Sequence, residues 1–407
     1  MPDVSILDVR LRDRSIGTLT NVQGDRTLFA FDQAYIDDRE RPTLSLSFKD
    51  DHGGLLTKFR PYQTKLPPFF SNLLPEGPLR RYLAQRAGVN EVREFFLLWM
   101  LGRDLPGALS VHPGEDQEPP PGYEEGIPEN AKKNALRFSL AGVQLKFSAL
   151  QNGNKSGGLT IPVEGVGGSW IAKLPSQQYS GVPENEFSMM TLARTMGMDV
   201  PDVDLVDVGA ISGLPEGIGE FTGQALAVKR FDRSPDGPIH TEDFAQIFRQ
   251  FPEDKYDGAS YRLIAQVLGI ETGNADVAEF IRRLVFNTLI GNADMHLKNW
   301  SVLYPDGRTP ILAPAYDLLS TIPYISDETA ALKYSRTKRM AEITKDELVH
   351  LAAKARLSEK LVLDVSRETI DRFKDVWAAE RTNLPLAKTV REAVDKHSAT
   401  IPIYGEM

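Results

Sequence analysis

The chain has 407 residues, of which 41% are hydrophobic and 25% charged, the make-up of a folded globular protein with room for two or three domains. A net charge of −9 argues against a broad nucleic-acid-binding face, which relies on clustered Lys and Arg. The lack of cysteine excludes disulfides, thiol nucleophiles and cysteine-bound metals, and six histidines without a paired spacing leave a zinc hydrolase without support.

The chain opens Met-Pro-Asp-Val-Ser-Ile, without the basic region and apolar core of a signal peptide. Its longest apolar run, residues 95–101, is too short to cross a bilayer. A cytoplasmic protein without membrane contact is expected. Residues 4–10, 15–21 and 43–48 alternate as short strands. Helical stretches follow over residues 69–83 and 92–101. Residues 1–111 read as an N-terminal module. Residues 112–130, rich in Pro, Gly and acid, read as a linker.

Residues 137–150 place small residues between β-prone flanks, a weak phosphate-loop signal that also suits a plain hairpin. The strand at residues 170–174 carries one lysine, Lys173, where a nucleotide pocket would hold α- and β-phosphates; a strand-end lysine is the alternative. Pro183 and Glu184 open a helix, and Glu186 in its first turn offers Lys173 an ion pair or simply compensates the helix dipole. Residues 224–231 read as a buried strand ending in charge. Residues 131–235 thus form a mixed small lobe and residues 236–407 a helical large lobe. In the latter, residues 274–289 form a helix, Thr344 and Glu347 a capping box, and Ser358 starts a long helix reaching Trp377.

The most informative stretch is Gly-Asn-Ala-Asp-Met-His-Leu-Lys-Asn at residues 291–299, followed by Tyr316-Asp317. An aspartate, an asparagine five residues on and a second aspartate eighteen further have the order in which a kinase site supplies its base and two magnesium ligands. Asp294 is the expected base, Asn299 and Asp317 the expected metal ligands, and Lys298 a cation for the transferring phosphate. Asp306-Gly307 between two β-prone runs predicts a hairpin that brings Asp317 back beside Asp294 and Asn299. Taken singly, Asp294 could cap a helix and Asn292 and Asn299 could sit in turns.

Residues 139–146 (Ser-Leu-Ala-Gly-Val-Gln-Leu-Lys), 171–175 (Ile-Ala-Lys-Leu-Pro), 227–233 (Ala-Val-Lys-Arg-Phe-Asp-Arg), 291–299 and 316–320 together resemble the successive motifs of HipA-type kinases, the toxins of bacterial type II toxin–antitoxin modules. Residues 66–77 are similar to that family's N-terminal module. The resemblance implies an α+β, two-lobed protein-kinase-like fold with an additional N-terminal α+β module, and a serine/threonine-protein kinase using ATP and Mg2+. It implies a small helix-turn-helix, HipB-like antitoxin through which alone the protein meets DNA, and a protein substrate such as an aminoacyl-tRNA synthetase. By position it makes Asp294 catalytic and Asn299 and Asp317 metal ligands. Ala141, Gly142, Val143, Gln144 and Lys146 become the phosphate loop, and Lys173 a phosphate contact. Lys229, Arg230 and Phe231 would frame adenine, His296 and Tyr316 line the nucleotide site, and Ser139 would be autophosphorylated. Leu145 stands where an acid is common, and residues 333–339 lack the expected glycines. A small-molecule phosphotransferase and a silent corepressor scaffold are the competing readings.

Overall fold

The computed structural model describes residues 4–115, 117, 145–151, 158–161, 167–214, 218–325 and 329–407. Ser139 and the loop residues Ala141, Gly142, Val143 and Gln144 lie outside them. Two compact units form. The first comprises Met1–Leu174, Val206–Pro252 and Leu303–Arg308. The second comprises Pro175–Leu205, Glu253–Val302 and Thr309–Met407.

The first unit contains a five-stranded antiparallel sheet in the order Tyr62–Gln63, Arg26–Phe31, Arg14–Val22, Ile6–Leu11, Leu109–Pro113. Leu7, Val9 and Leu11 alternate inward along one strand, so a one-residue slip would turn all three to solvent. An aromatic cluster fills the space beneath, with Phe29 4.9 Å from Phe70 and Phe48 5.4 Å from Phe69 between ring centroids. Every residue of the helix Glu94–Leu101 is buried. Its only acid is satisfied by the Leu66 amide, the Ser71 hydroxyl and Arg80.

Two expectations fail here. Residues 43–48 make no strand; Leu46–Phe48 is a 3-10 turn. Its serines are polar yet buried, because Ser45 Oγ and the Leu46 amide donate to the enclosed carboxylate of Glu242. The alternation therefore records internal hydrogen bonding, not a solvent face. The helix expected over residues 69–83 is two pieces, Pro68–Ser71 and Gly77–Ala87. Pro75 intervenes, disfavouring helical backbone at Leu74 and lacking a donor of its own.

Of a six-stranded sheet, this unit holds, in order, Ile211–Ser212, Leu159–Thr160, Lys146–Gln151, Trp170–Lys173, Gln224–Lys229 and the end of Val203–Asp207. Phe147, Ala149, Ala172, Leu174, Ala225 and Ala227 form its core.

The second unit is mostly helical: Val182–Thr195, Tyr261–Glu271, Asn274–Leu289, Lys345–Ala355, Glu359–Glu380 and Lys388–Ser398. Asn274–Leu289 has the expected bounds and is buried almost all round over its last two turns. Glu359–Glu380 packs along it, bringing Phe373 to Phe286. Thr344 caps Lys345–Ala355 by accepting from the Glu347 amide at 3.2 Å. The reciprocal half of the expected capping box is absent, because the Glu347 carboxylate is taken by the Ser335 and Arg336 amides and the Arg336 guanidinium. Among the described residues no helix is long and apolar enough to cross a membrane.

Candidate active site

The helix Asn274–Leu289 delivers the chain into the segment 291–299. Gly291 starts it with φ +67°, and a Cβ there would stand 2.6 Å from Ile322 Cδ1, so both backbone and space demand glycine. Asn292, 3% exposed, organises the segment. Its Nδ2 donates to Asn287 Oδ1 at 2.8 Å and to the Asp317 carbonyl at 3.3 Å, while its Oδ1 accepts from the Asp294 amide at 3.1 Å. Thr321 Oγ1 accepts from the Ala293 amide at 2.8 Å and donates to the Gly291 carbonyl. The two aspartates are thus held by one side chain. The sequence reading placed Asn292 only as a turn former and missed this role; its bond to Asp317 crosses 25 residues of chain, which no local pattern signals.

Asp294 is exposed and accepts a hydrogen bond from Tyr256 Oη at 2.6 Å. The Leu297–Asn299 turn follows, with the Asn299 amide on the His296 carbonyl at 3.0 Å. Asn299 is 8% exposed, and its Oδ1 is buried with no hydrogen-bond partner. Such an oxygen costs about 1–3 kcal/mol, and its presence suits a site that receives a cation. His296 is buried, its ring edge-on to Tyr256.

The expected hairpin forms. Ser301–Tyr304 neighbours Ile311–Leu312, Gly307 turns with φ +80°, and the Ala313 amide donates to the Ser301 carbonyl at 2.9 Å. Arg283 Nη1 then holds the Ala313 carbonyl, and the Ala315 amide bonds to the Asp199 carbonyl. Tyr316 donates to the Lys298 carbonyl at 2.9 Å and meets Ser301 Oγ, so its hydroxyl spans both ends of the hairpin. Asp317 comes next with φ +54°. A left-handed aspartate is uncommon, and strained backbone of this kind persists where surrounding contacts over-determine it. Within this unit the structure brings together Asp294, His296, Lys298, Asn299, Tyr316 and Asp317.

The other unit holds the remaining candidates. Lys146 and Lys173 are direct cross-strand partners, and Lys173 is 5% exposed. Lys229 ends its strand exposed, and Phe231 is half-buried. Arg230 is committed elsewhere: its guanidinium, almost fully enclosed, bonds Asp104 at 3.1 Å and Asp232 at 2.8 Å. Burial pushes the Asp232 carboxyl up, but Arg230 and Arg233 outweigh this and hold it below its ordinary value. Glu186, on the helix Val182–Thr195 of the helical unit, is also buried.

A helical unit with two aspartates and an asparagine on one framework, and a mixed sheet bearing an inner-strand lysine, define a protein-kinase-like fold. The HipA-like C-terminal domain family matches residues 138–377, and the HipA N-terminal domain family matches residues 7–112. The chain belongs to the HipA family. It is 68% identical over its full 407 residues to "Putative kinase Y4dM" of Sinorhizobium fredii, covering 99% of that protein. It is 29% identical to the serine/threonine-protein kinase toxin HipA of Shewanella oneidensis over 78% of this chain and 76% of the relative. The solved complex of Shewanella oneidensis HipA, HipB and operator DNA contains a chain with the same fold, at TM-score 0.71 and 22% identity, covering 98% of this chain and 96% of that one.

Proposed function

We propose that this protein is an ATP- and magnesium-dependent serine/threonine-protein kinase and the toxin of a toxin–antitoxin pair. The observation that carries the reading is the buried, unpartnered Asn299 Oδ1 on a segment that Asn292 ties to both Asp294 and Asp317. Asn299 Oδ1 and the Asp317 carboxylate would hold Mg2+, which supplies charge neutralisation at the phosphates when bound. Asp294 would accept the proton of the attacking hydroxyl, a role that requires that hydroxyl to come within hydrogen-bonding reach of it. Lys146 and Lys173 hold phosphate oxygens together with residues 141–144. Lys298 steadies the transferred group. His296 and Tyr316 line the nucleotide, while Lys229, Phe231 and the backbone at Arg230 frame the base.

Ser139 is the proposed site of self-phosphorylation. Close to two negative charges there would repel the nucleotide's phosphates and switch the enzyme off. The HipB seen with the Shewanella oneidensis protein supports a HipB-like helix-turn-helix partner for this chain. A net charge of −9 fits contact with DNA only through it. A translation component such as an aminoacyl-tRNA synthetase is the proposed substrate, and the cytoplasm the proposed location.

Intact-mass spectrometry after incubation with ATP and Mg2+ tests the reading. A gain of one phosphate mapped to Ser139, absent in D294N, is expected. No phosphate in either protein, with none present as purified, would move the assignment to a small-molecule phosphotransferase or a silent corepressor.

A further inference from the structure

One side chain that donates to the Asp294 carboxylate comes from outside the segment 291–299. Tyr256 sits in the loop after the Pro252–Asp254 turn and donates its hydroxyl to Asp294 Oδ1 at 2.6 Å. An exposed tyrosine ordinarily turns its hydroxyl to water. This one is 38% exposed yet fixed from three directions. Its ring stands edge-on to His296, with centroids 5.1 Å apart at 81°, a favoured aromatic geometry. Its carbonyl accepts from Lys338 Nζ at 3.1 Å. The carbonyl of its neighbour Lys255 accepts from the Leu297 amide at 3.2 Å, which ties the loop to the segment carrying the base. A short hydrogen bond to a charged acceptor is among the stronger kind, and it fixes the direction of one carboxylate oxygen and so the plane of the group.

We propose that Tyr256 is a positioning residue that orients the Asp294 carboxylate toward the acceptor hydroxyl. The inference rests on the reading of Asp294 as the base. Tyr256 adds no covalent step: the acceptor's proton passes to Asp294, and the phenol keeps its own. A general base out of line by a small rotation loses rate without losing substrate, so the loss belongs in the maximal rate rather than in nucleotide affinity.

The test is the rate of ATP-dependent mass gain against ATP concentration for wild type, Y256F, D294N and Y256F/D294N, with melting temperatures in parallel. Y256F keeps the ring on His296. It is expected to melt with wild type, retain the half-saturating ATP concentration and lose about three- to tenfold in maximal rate, the scale of one hydrogen bond. The double variant is expected to match D294N. A maximal rate in Y256F equal to or above wild type, or a loss carried by the half-saturating ATP concentration, would overturn the positioning role. If Y256F melts early, a rate loss that disappears at a temperature where both proteins are fully folded would assign the loss to folding and overturn it too. A wild type that transfers no phosphate would instead bring down the kinase reading, and this inference with it.

Discussion

Asn299 carries a stability cost with no structural return. Its Oδ1 is buried and unpartnered, whereas nearly all buried polar atoms in folded proteins are hydrogen-bonded. If that oxygen waits for a metal, its removal relieves the fold and disables the chemistry. N299A is therefore expected to melt at or above the wild-type temperature without nucleotide or Mg2+, and to lose phosphate transfer. A clear drop in melting temperature would make Asn299 a structural residue. That Asp294, Asn299 and Asp317 return to one framework was legible in the sequence, because an Asp-Gly turn between two β-prone runs marks the hairpin between them. Asn292 and Tyr256 were not, since each acts on a residue 25 and 38 positions away in sequence respectively. Arg230 reads as part of a nucleotide-facing motif, yet its charge serves Asp104, over a hundred residues earlier.

The strand His240–Asp243 shows what an element does with buried ionisable groups. Burial pushes the Glu242 carboxyl up from 4.5 to about 7, against the hydrogen bonds of Ser45, Tyr304 and the Leu46 amide. Burial pushes His240 down from 6.5 to about 4. The signs follow from linkage. Glu242 binds its proton more tightly folded than unfolded, so its contribution is present below pH 4.5 and is lost as pH rises through about 7. His240 resists protonation when folded, so its contribution is present above pH 6.5 and is lost as pH falls toward 4. E242Q removes only the first slope. The melting-temperature difference, E242Q minus wild type, is expected to grow from pH 5 to pH 8. A difference independent of pH would mean that Glu242 does not titrate in this window. The same carboxylate explains the misread of residues 43–48: alternation names a strand only when the polar positions face water, and here they face Glu242. For Asn274–Leu289 and the Asp306-Gly307 hairpin, periodicity and turn chemistry were sufficient.

At the scale of the molecule, the family motifs span both units, and the fold follows from them. The second sheet was recognisable from apolar runs such as residues 170–174, and the helical unit from its caps and periodicity. The division of the chain was harder to read, because Leu303–Arg308, the tip of one hairpin, belongs with residues far earlier in sequence. The Thr43 amide bonds the Gly307 carbonyl at the tip of that hairpin, a pairing with no local sequence signature. What the chain acts on depends on surfaces rather than on the Asp294 framework, and the sequence is least explicit there. The central claim, that Asp294 is the base of a phosphoryl-transfer centre, is tested most directly by the rate of γ-phosphate transfer from labelled ATP in wild type and D294N, with ATP affinity measured on both. Loss of at least about a hundredfold in rate with ATP affinity retained is the expected result. A D294N protein that transfers phosphate at the wild-type rate would contradict it.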